Sequence, residues 1–251
     1  MGNIFFQPGN ARAATVKALF SSIAPRYDLL NDLQSFGLHR RWKRRVTTLA
    51  HAIPGIRALD VCCGTGDLAL ALARRGAEVV GLDFSEPMLA IAEERKGKGK
   101  ISAPGIHNPR FIHGDAQNLP FAENEFEIVT VGYGLRNLTN WEAGLNELRR
   151  VAKPGGRLLV LDFGKPGSAL WRWLYFGYLK LVVPLLGRIF CGSFDAYAYI
   201  LESLKHYPEQ GRIAARMGEM GLTNVRVVNF LGGVMAVVYG EKGAAGKGDG
   251  P

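Results

Sequence analysis

Between residues 58 and 163, short β-branched and aliphatic runs alternate with helical stretches, and this alternation limits the possible folds more than any other feature. The apolar runs cover 58–63, 78–84, 110–115, 127–132 and 157–163. Helical stretches follow Asp67, begin again at Glu86, and fill 141–151, where Lys153-Pro154-Gly155-Gly156 ends the third of them. Strands separated by helices need crossover connections, which produce a parallel sheet covered on both faces. The chain ends differently. Runs at 225–231 and 234–239 are separated by Gly232-Gly233, which predicts an antiparallel hairpin at the sheet edge. The expected fold is therefore α/β and Rossmann-like, as a single domain over 1–242 with a flexible Gly-rich tail at 243–251.

Two segments stand outside the alternation. Residues 1–54 read as a helical cap, with Val16, Leu19, Phe20 and Ile23 at helical spacing before Pro25 and a basic helix over 39–51. Residues 164–207 form an aromatic-rich insertion that predicts a cover over an apolar pocket or an interfacial patch. Within it, charge-free runs between Arg172, Lys180 and Arg188 reach only seven residues, far short of a membrane span, and Pro184 is expected to break the helix. Three cysteines and scattered histidines show no metal-ligand spacing, so no metal is expected. The N-terminus lacks a secretory h-region, and a reducing cytosol is the expected compartment.

The first strand runs through Asp60 into Cys62-Cys63-Gly64-Thr65-Gly66-Asp67. Cys62 and Cys63 read as buried strand residues. Glycines one residue apart between strand and helix allow a tight turn and close approach of a ligand. Asp83 ends the next strand about 20 residues on, where a carboxylate can bind ribose hydroxyls. These two elements predict a nucleotide-type cofactor, and an NAD-dependent oxidoreductase remains an alternative on them alone. Asp67 in the first helical turn opposes a diphosphate, whereas an acidic cradle with Asp60 suits the ammonium and sulfonium of S-adenosylmethionine. The expected cofactor set is Asp60, Gly64, Thr65, Gly66, Asp83, Phe84 on the adenine, Asp115 and Ala116 after the third strand, and Gly132 after the fourth.

The strings LDVCCGTGD, GLDFSEPML, GDAQNLPF and LRRVAKPGGRLLVLDF resemble class I S-adenosylmethionine-dependent methyltransferases. YDLLNDLQSFGLHRRWKR, VGYGLRNLTN and YAYILESLKHYPEQ further resemble the ubiquinone/menaquinone biosynthesis C-methyltransferase family, from about Thr15 to Lys242. That resemblance implies a seven-stranded sheet with one antiparallel hairpin and methylation of a ring carbon on a polyprenyl quinol. A demethylmenaquinol-like naphthoquinol, a ubiquinone-pathway benzoquinol or another small molecule all remain open as substrates. Arg136 is expected to stabilise phenolate charge and Asn137 to orient the quinol oxygen or a water. Tyr27 and Asn31, four apart, and Tyr197 and Tyr199 in the insertion are expected substrate contacts. No histidine is nominated.

The net charge of +9 is concentrated towards the N-terminus, notably at Arg40, Arg41, Lys43, Arg44 and Arg45. Nucleic acid is not an expected partner, because neither an amino-methylase motif nor a Pro-Cys nucleophile is present. The expected partner is a membrane surface at the inner, cytoplasmic face, bound through this basic arm and through Trp171, Trp173, Tyr175 and Tyr178. Pairing into a homodimer is left open by the sequence.

Overall fold

Seven strands make one sheet in the order β3-β2-β1-β4-β5-β7-β6. The computed structural model describes the backbone of residues 10–98, 107–191 and 195–243, and the side chains of 12–98, 107–189 and 199–243. Strands β1 (Arg57–Val61), β2 (Glu78–Asp83), β3 (Arg110–His113), β4 (Phe126–Gly132) and β5 (Ala152–Phe163) are parallel. β7 (Met235–Lys242) lies antiparallel between β5 and β6 (Leu222–Phe230). The expected edge hairpin is present, turned by Leu231, Gly232 and Gly233, all at positive φ. The strand order reverses between β1 and β4, and the chain leaves both carboxyl ends there, which opens a crevice at the switch point.

Helices α4 (Asp67–Ala73), α5 (Glu86–Lys98), α6 (Trp141–Val151) and α10 (Gln210–Glu219) cover the sheet. Their apolar faces form two large buried clusters, one including Leu59, Val129 and Leu145, the other Ala69, Leu72 and Ile128. Two details depart from the sequence reading. β5 starts at Ala152, so the Lys153-Pro154-Gly155-Gly156 segment lies inside the strand and is absorbed by a register shift against β4. β1 ends at Val61, so neither cysteine is a strand residue: the half-buried Cys62, at φ 55°, begins the turn, and the buried Cys63 follows it.

Helices α1 (Asn10–Ile23), α2 (Tyr27–Ser35) and α3 (His39–Leu49) form the expected N-terminal cap over the crevice. The insertion contributes α7 (Ala169–Gly177), α8 (Val183–Cys191) and α9 (Asp195–His206). Pro184 does not break the helix. A wider π turn at Tyr178–Val182 carries the helix on from α7 into α8, and this wider turn accommodates Pro184 at the second position of α8.

The cap is tied to the sheet by charge. Asp67, the first residue of α4, accepts from Lys43 Nζ of α3 at 2.6 Å and also pairs with Arg95 of α5. Arg95 donates to Asp28 of α2 at 3.0 Å and to the Thr65 carbonyl at 3.1 Å. Burial alone would raise the Asp67 pKa, but the two cations hold it well below the usual carboxylate range. Asp67→Asn removes one charge and leaves Lys43 unpaired where it is nine-tenths buried. It is expected to cost roughly 1–3 kcal/mol in urea unfolding and to speed proteolysis within α1–α3. Unchanged stability would show that the cap docks by apolar contacts alone.

Candidate active site

The crevice holds a cavity of ≈290 Å³ with a carboxylate, aromatic and apolar wall: Asp83, Phe84, Met88, Leu82, Asp115 and Tyr27. Gly64, Ala116, Gly132, Gly134, Asn137 and Cys62 complete its floor, and Val16, Lys17 and Phe20 of α1 close it from above. Asp83 is 4% exposed, and its two oxygens accept from Gly64 N at 2.8 Å and Ser85 N at 2.9 Å. Burial raises its pKa, and the backbone donors from Ser85 and Gly64 oppose that rise. Asp83 therefore holds the glycine loop in shape as well as facing the cleft. Asp115 is exposed and accepts from Gln117 N, so it also shapes its own turn.

The two loop glycines have different duties. A Cβ on Gly64 would meet nothing nearer than Tyr27 at 3.8 Å, which leaves open space above the loop for a ligand. A Cβ on Gly66 would lie 2.8 Å from the Phe111 ring, away from the cleft. Packing against Phe111 thus requires a glycine here, and Gly66 is not among the residues of the main cleft wall. The Thr65 hydroxyl donates to Asp28 at 2.8 Å, and Thr65 lines a small space beside the main cleft rather than the cleft wall itself. Asp67, spent on Lys43 and Arg95, contributes no free charge to an acidic cradle. Asp60 lines a small neighbouring space instead, next to Tyr27, Gly132 and Lys43. It accepts from Thr130 at 2.8 Å, keeps Oδ2 buried without a partner among the described residues, and is pushed by burial to about 7.

A second cavity of ≈340 Å³ lies beside the first and is almost wholly apolar. Tyr133 walls both. It follows β4 at φ 61°, a strained setting for an aromatic residue, and is pinned there through its N–H to Leu161 O at 2.7 Å. Its carbonyl accepts from Arg136 Nη1 at 2.8 Å and Asn137 Nδ2 at 2.9 Å. Trp42, Phe163, Tyr175, Leu179 and Met235 line the interior of this cavity, while Phe36, Trp171, Leu174 and Leu231 are exposed and mark its mouth. The sequence pointed to an apolar pocket under the insertion, but not to Tyr133 and Trp42 in its wall. The Gly-Tyr-Gly string at the end of β4 was the available signal, of which only Gly132 was taken up.

The remaining expected residues are distributed over these spaces. Tyr27 and Asn31 share one face of α2, as their spacing predicted: Tyr27 faces the cofactor-side cleft, and Asn31 faces the apolar cavity. Burial pushes the Tyr27 hydroxyl to about 12. Asn137 reaches the cleft wall, but its side chain also accepts from Tyr199 at 3.1 Å. Tyr199 is fully buried under α1 and does not reach the apolar cavity, so it supports the floor from below. The Tyr197 side chain lies outside the described residues, as does the chain beyond Gly243. Arg136 is 6% exposed and pairs with Asp162, itself 3% exposed, at 2.6 Å, and its guanidinium lies 4.7 Å from the Phe163 ring centre. It lines neither large cavity, only a small space shared with Tyr27, Asn31 and Tyr199. Among the described residues no cluster could hold a metal ion.

Residues 9–242 match the ubiE/COQ5 methyltransferase family. The chain belongs to it. It is similar to demethylmenaquinone methyltransferases from Desulfitobacterium hafniense (43% identical, covering 93% of this chain and 92% of the relative) and Staphylococcus saprophyticus (39%, 92% and 98%). The magnesium protoporphyrin IX methyltransferase of Synechocystis PCC 6803 shares the fold, with a TM-score of 0.64 at 20% identity over 92% of this chain and 99% of that one. An S-adenosylmethionine-dependent methyltransferase from Aquifex aeolicus shares it at a TM-score of 0.56 and 20% identity, over 80% and 89%. The chain is a class I methyltransferase, and its cofactor is S-adenosylmethionine. The oxidoreductase alternative falls on this family membership.

The geometry separates structural from ligand-facing residues by experiment. Gly64→Ala and Gly66→Ala share the left-handed penalty of about 1 kcal/mol, but only the second adds a clash with Phe111. Thermal melts should therefore fall further for Gly66→Ala, while Gly64→Ala should lose more cofactor affinity by calorimetry than its melt implies. Equal melts would mean that Phe111 yields freely. Arg136→Ala strands Asp162 in the core and should cost about 3–5 kcal/mol in denaturant unfolding. Native stability would show instead that water reaches Asp162.

Proposed function

We propose that the chain methylates a ring carbon of a prenylated hydroquinone, with a demethylmenaquinol as its substrate. The observation that carries this reading is the apolar ≈340 Å³ cavity set against the cofactor cleft across a single residue, Tyr133. A flat ring with a hydrocarbon tail matches a space walled by Trp42, Phe163 and Tyr175. The names of the relatives favour a naphthoquinol, and the benzoquinol step of the ubiquinone pathway is a second substrate to test.

When bound, S-adenosylmethionine supplies an electrophilic methyl group on a sulfonium. The open space over Gly64 and the unpartnered Asp60 Oδ2 fit such a cationic, phosphate-free ligand. In this reading Asp83 accepts from the ribose hydroxyls, Phe84 and Met88 flank the adenine, and Asp115 and Ala116 edge it. Gly132 admits the ligand where a side chain would stand close to Leu68. Tyr27 and Asn31 hold the quinol between the cavities. Asn137 fixes the Tyr133 carbonyl, and Arg136 carries positive charge beneath the reacting ring through its bond to that same carbonyl. The buried Asp83, Met88 and Tyr133 limit water at the meeting point, and the fixed placement of two reactants supplies the larger part of the rate.

The substrate's tail also explains the surface. Leu170, Trp173, Leu181, Leu185 and Ile189 of the insertion are all more than half exposed, and Phe36 and Leu231 join them at the cavity mouth. No helix among the described residues is long and apolar enough to cross a membrane. We infer peripheral contact with an anionic bilayer through this face. The aromatic residues involved differ from those first expected, because Tyr175 is buried and Tyr178 donates to Gln34 O inside the cavity wall. The basic contribution narrows as well: Lys43 is buried on Asp67 and Arg40 is held by Asp32, which leaves Arg41, Arg44 and Arg45 exposed.

The test uses purified protein, S-adenosylmethionine and demethylmenaquinol of two tail lengths, with mass spectrometry of the product. Addition of one methyl group to the ring is expected, and no product from either naphthoquinol or benzoquinol would overturn the reading. Replacement of Trp173, Leu181 and Ile189 by Ser should lower activity on long-tailed substrate in anionic vesicles about tenfold or more, given several buried apolar side chains lost. It should spare a short-tailed substrate in detergent. Equal loss on both would remove the membrane role.

A further inference from the structure

The apolar cavity has one polar corner, and its histidine and acid are side chains that the sequence reading left without a role. His39, the first residue of α3, is 3% exposed and lines this cavity. Its Nε2 is 2.8 Å from Asp32 Oδ1, and its Nδ1 is buried with no partner among the described residues. Asp32 is in turn fixed by Arg40, through Nη2 at 2.6 Å and Nε at 3.0 Å. Three more buried polar atoms without described partners belong to residues lining the same cavity: the Tyr133 hydroxyl, Asn31 Nδ2 and Gln34 Oε1. Unpaired buried polar atoms cost free energy, and several on the wall of one apolar space point to a ligand with polar groups at one end.

We propose that His39, oriented by Asp32, is the base that takes the hydroxyl proton of the quinol. The assignment rests on the reading that this cavity holds the quinol ring. The carboxylate accepts from Nε2–H, which fixes the tautomer and leaves the lone pair on Nδ1. Nδ1 takes the O–H proton, and the oxygen's electron pair moves into the ring. The adjacent ring carbon forms a bond to the methyl carbon as the carbon–sulfur bond breaks, with its pair remaining on sulfur. That ring carbon then gives its hydrogen to water, and His39 returns its proton to the ring oxygen. One proton leaves per turnover, which balances the positive charge lost from sulfur.

The charged and titratable surroundings suit a base. Asp32 comes from α2, Lys43 and Arg40 from α3, Asp67 from α4, Tyr133 from the loop after β4, and Tyr175 and Tyr178 from the insertion. Burial, followed by Lys43, lowers the imidazole below its ordinary value, against the opposing pull of Asp32 and Asp67. His39 is consequently neutral at neutral pH and becomes protonated, and inactive as a base, only on the acid side. Arg136 cannot serve, since a guanidinium does not give up its proton in this range.

The experiment compares wild type, His39→Gln and Asp32→Asn on a short-tailed, chemically reduced prenyl naphthoquinol, from about pH 5 to 8. Wild-type kcat/KM should fall on the acid side with one titration below about 6.5, the ordinary histidine value. His39→Gln should lose about 10²–10³-fold in kcat, abolish that acid limb, and keep cofactor affinity within about twofold. Asp32→Asn should lower kcat and move the limb to lower pH. NMR of ring-labelled histidine should show the Nε2–H tautomer in the free protein. A naphthoquinol made more acidic by a ring chlorine should narrow the gap between His39→Gln and wild type, which a purely structural role would not do.

Activity of His39→Gln within threefold of wild type, or an acid limb that survives the substitution, would overturn the assignment while leaving the quinol reading intact. Should His39→Gln fail to fold by circular dichroism, a flat wild-type profile or an Nδ1–H tautomer would overturn it instead. A wild type that binds S-adenosylmethionine but methylates no naphthoquinol would overturn the substrate reading, and the base assignment with it.

Discussion

The pairing of Asp67 with Lys43 and Arg95 is the constraint on which the site depends. Asp67 directly follows Gly66, so its position is set by the glycine loop to within one residue. By binding α3 and α5, and through Arg95 the Asp28 of α2, it registers the N-terminal helices on that loop. The register has functional content. It places Tyr27 over Gly64 and Asn31 in the neighbouring cavity, one helical turn away. It also places His39, one turn before Lys43 on α3, on the wall of the same cavity. A cap held by apolar contacts alone would tolerate sliding, whereas short ionic contacts fix direction and distance.

Tyr133 divides the space so created. One side is a cleft with carboxylates and backbone donors, the other an apolar chamber. A cationic cofactor and an oily substrate need such different solvents, yet must meet within bonding distance. A single aromatic residue is thin enough to allow this. The backbone around it is correspondingly over-determined: Tyr133 gives its N–H to Leu161 and its carbonyl to both Arg136 and Asn137. Held in this way, an aromatic residue can keep the left-handed conformation that it would otherwise leave.

Arg136 shows how burial changes the meaning of a charge. In the sequence it stands at the carboxyl edge of the sheet, where ligands bind, and it reads as a stabiliser of developing negative charge. In the fold it is nine-tenths buried beside Asp162, because a guanidinium removed from water needs a fixed counter-charge. Its guanidinium reaches the cavity wall only by donating to the Tyr133 carbonyl. The histidines show the converse. His39 looked like one polar residue of a basic helix, and the acid seven residues earlier is too distant in sequence to suggest a pair. The αL turn at Phe36 and Gly37 folds α3 back so that Asp32 and His39 meet.

The sequence by itself determined the fold and the cofactor. Short continuous apolar runs separated by helical ones leave few options besides a parallel sheet, and Gly64 and Asp83 mark its ligand edge because both act within their own strand–loop units. Tyr27 and Asn31 were legible for the same local reason, since four residues make one helical turn. Tertiary structure alone decided what those units face. It packed Gly66 on Phe111, tied Thr65 to Asp28, buried Tyr175 and Tyr199, paired Arg136, and assembled the apolar cavity from α2, α3, the β4 loop and the insertion. A cavity is a property of surfaces that meet from distant parts of the chain, and no local spacing encodes the space they leave between them.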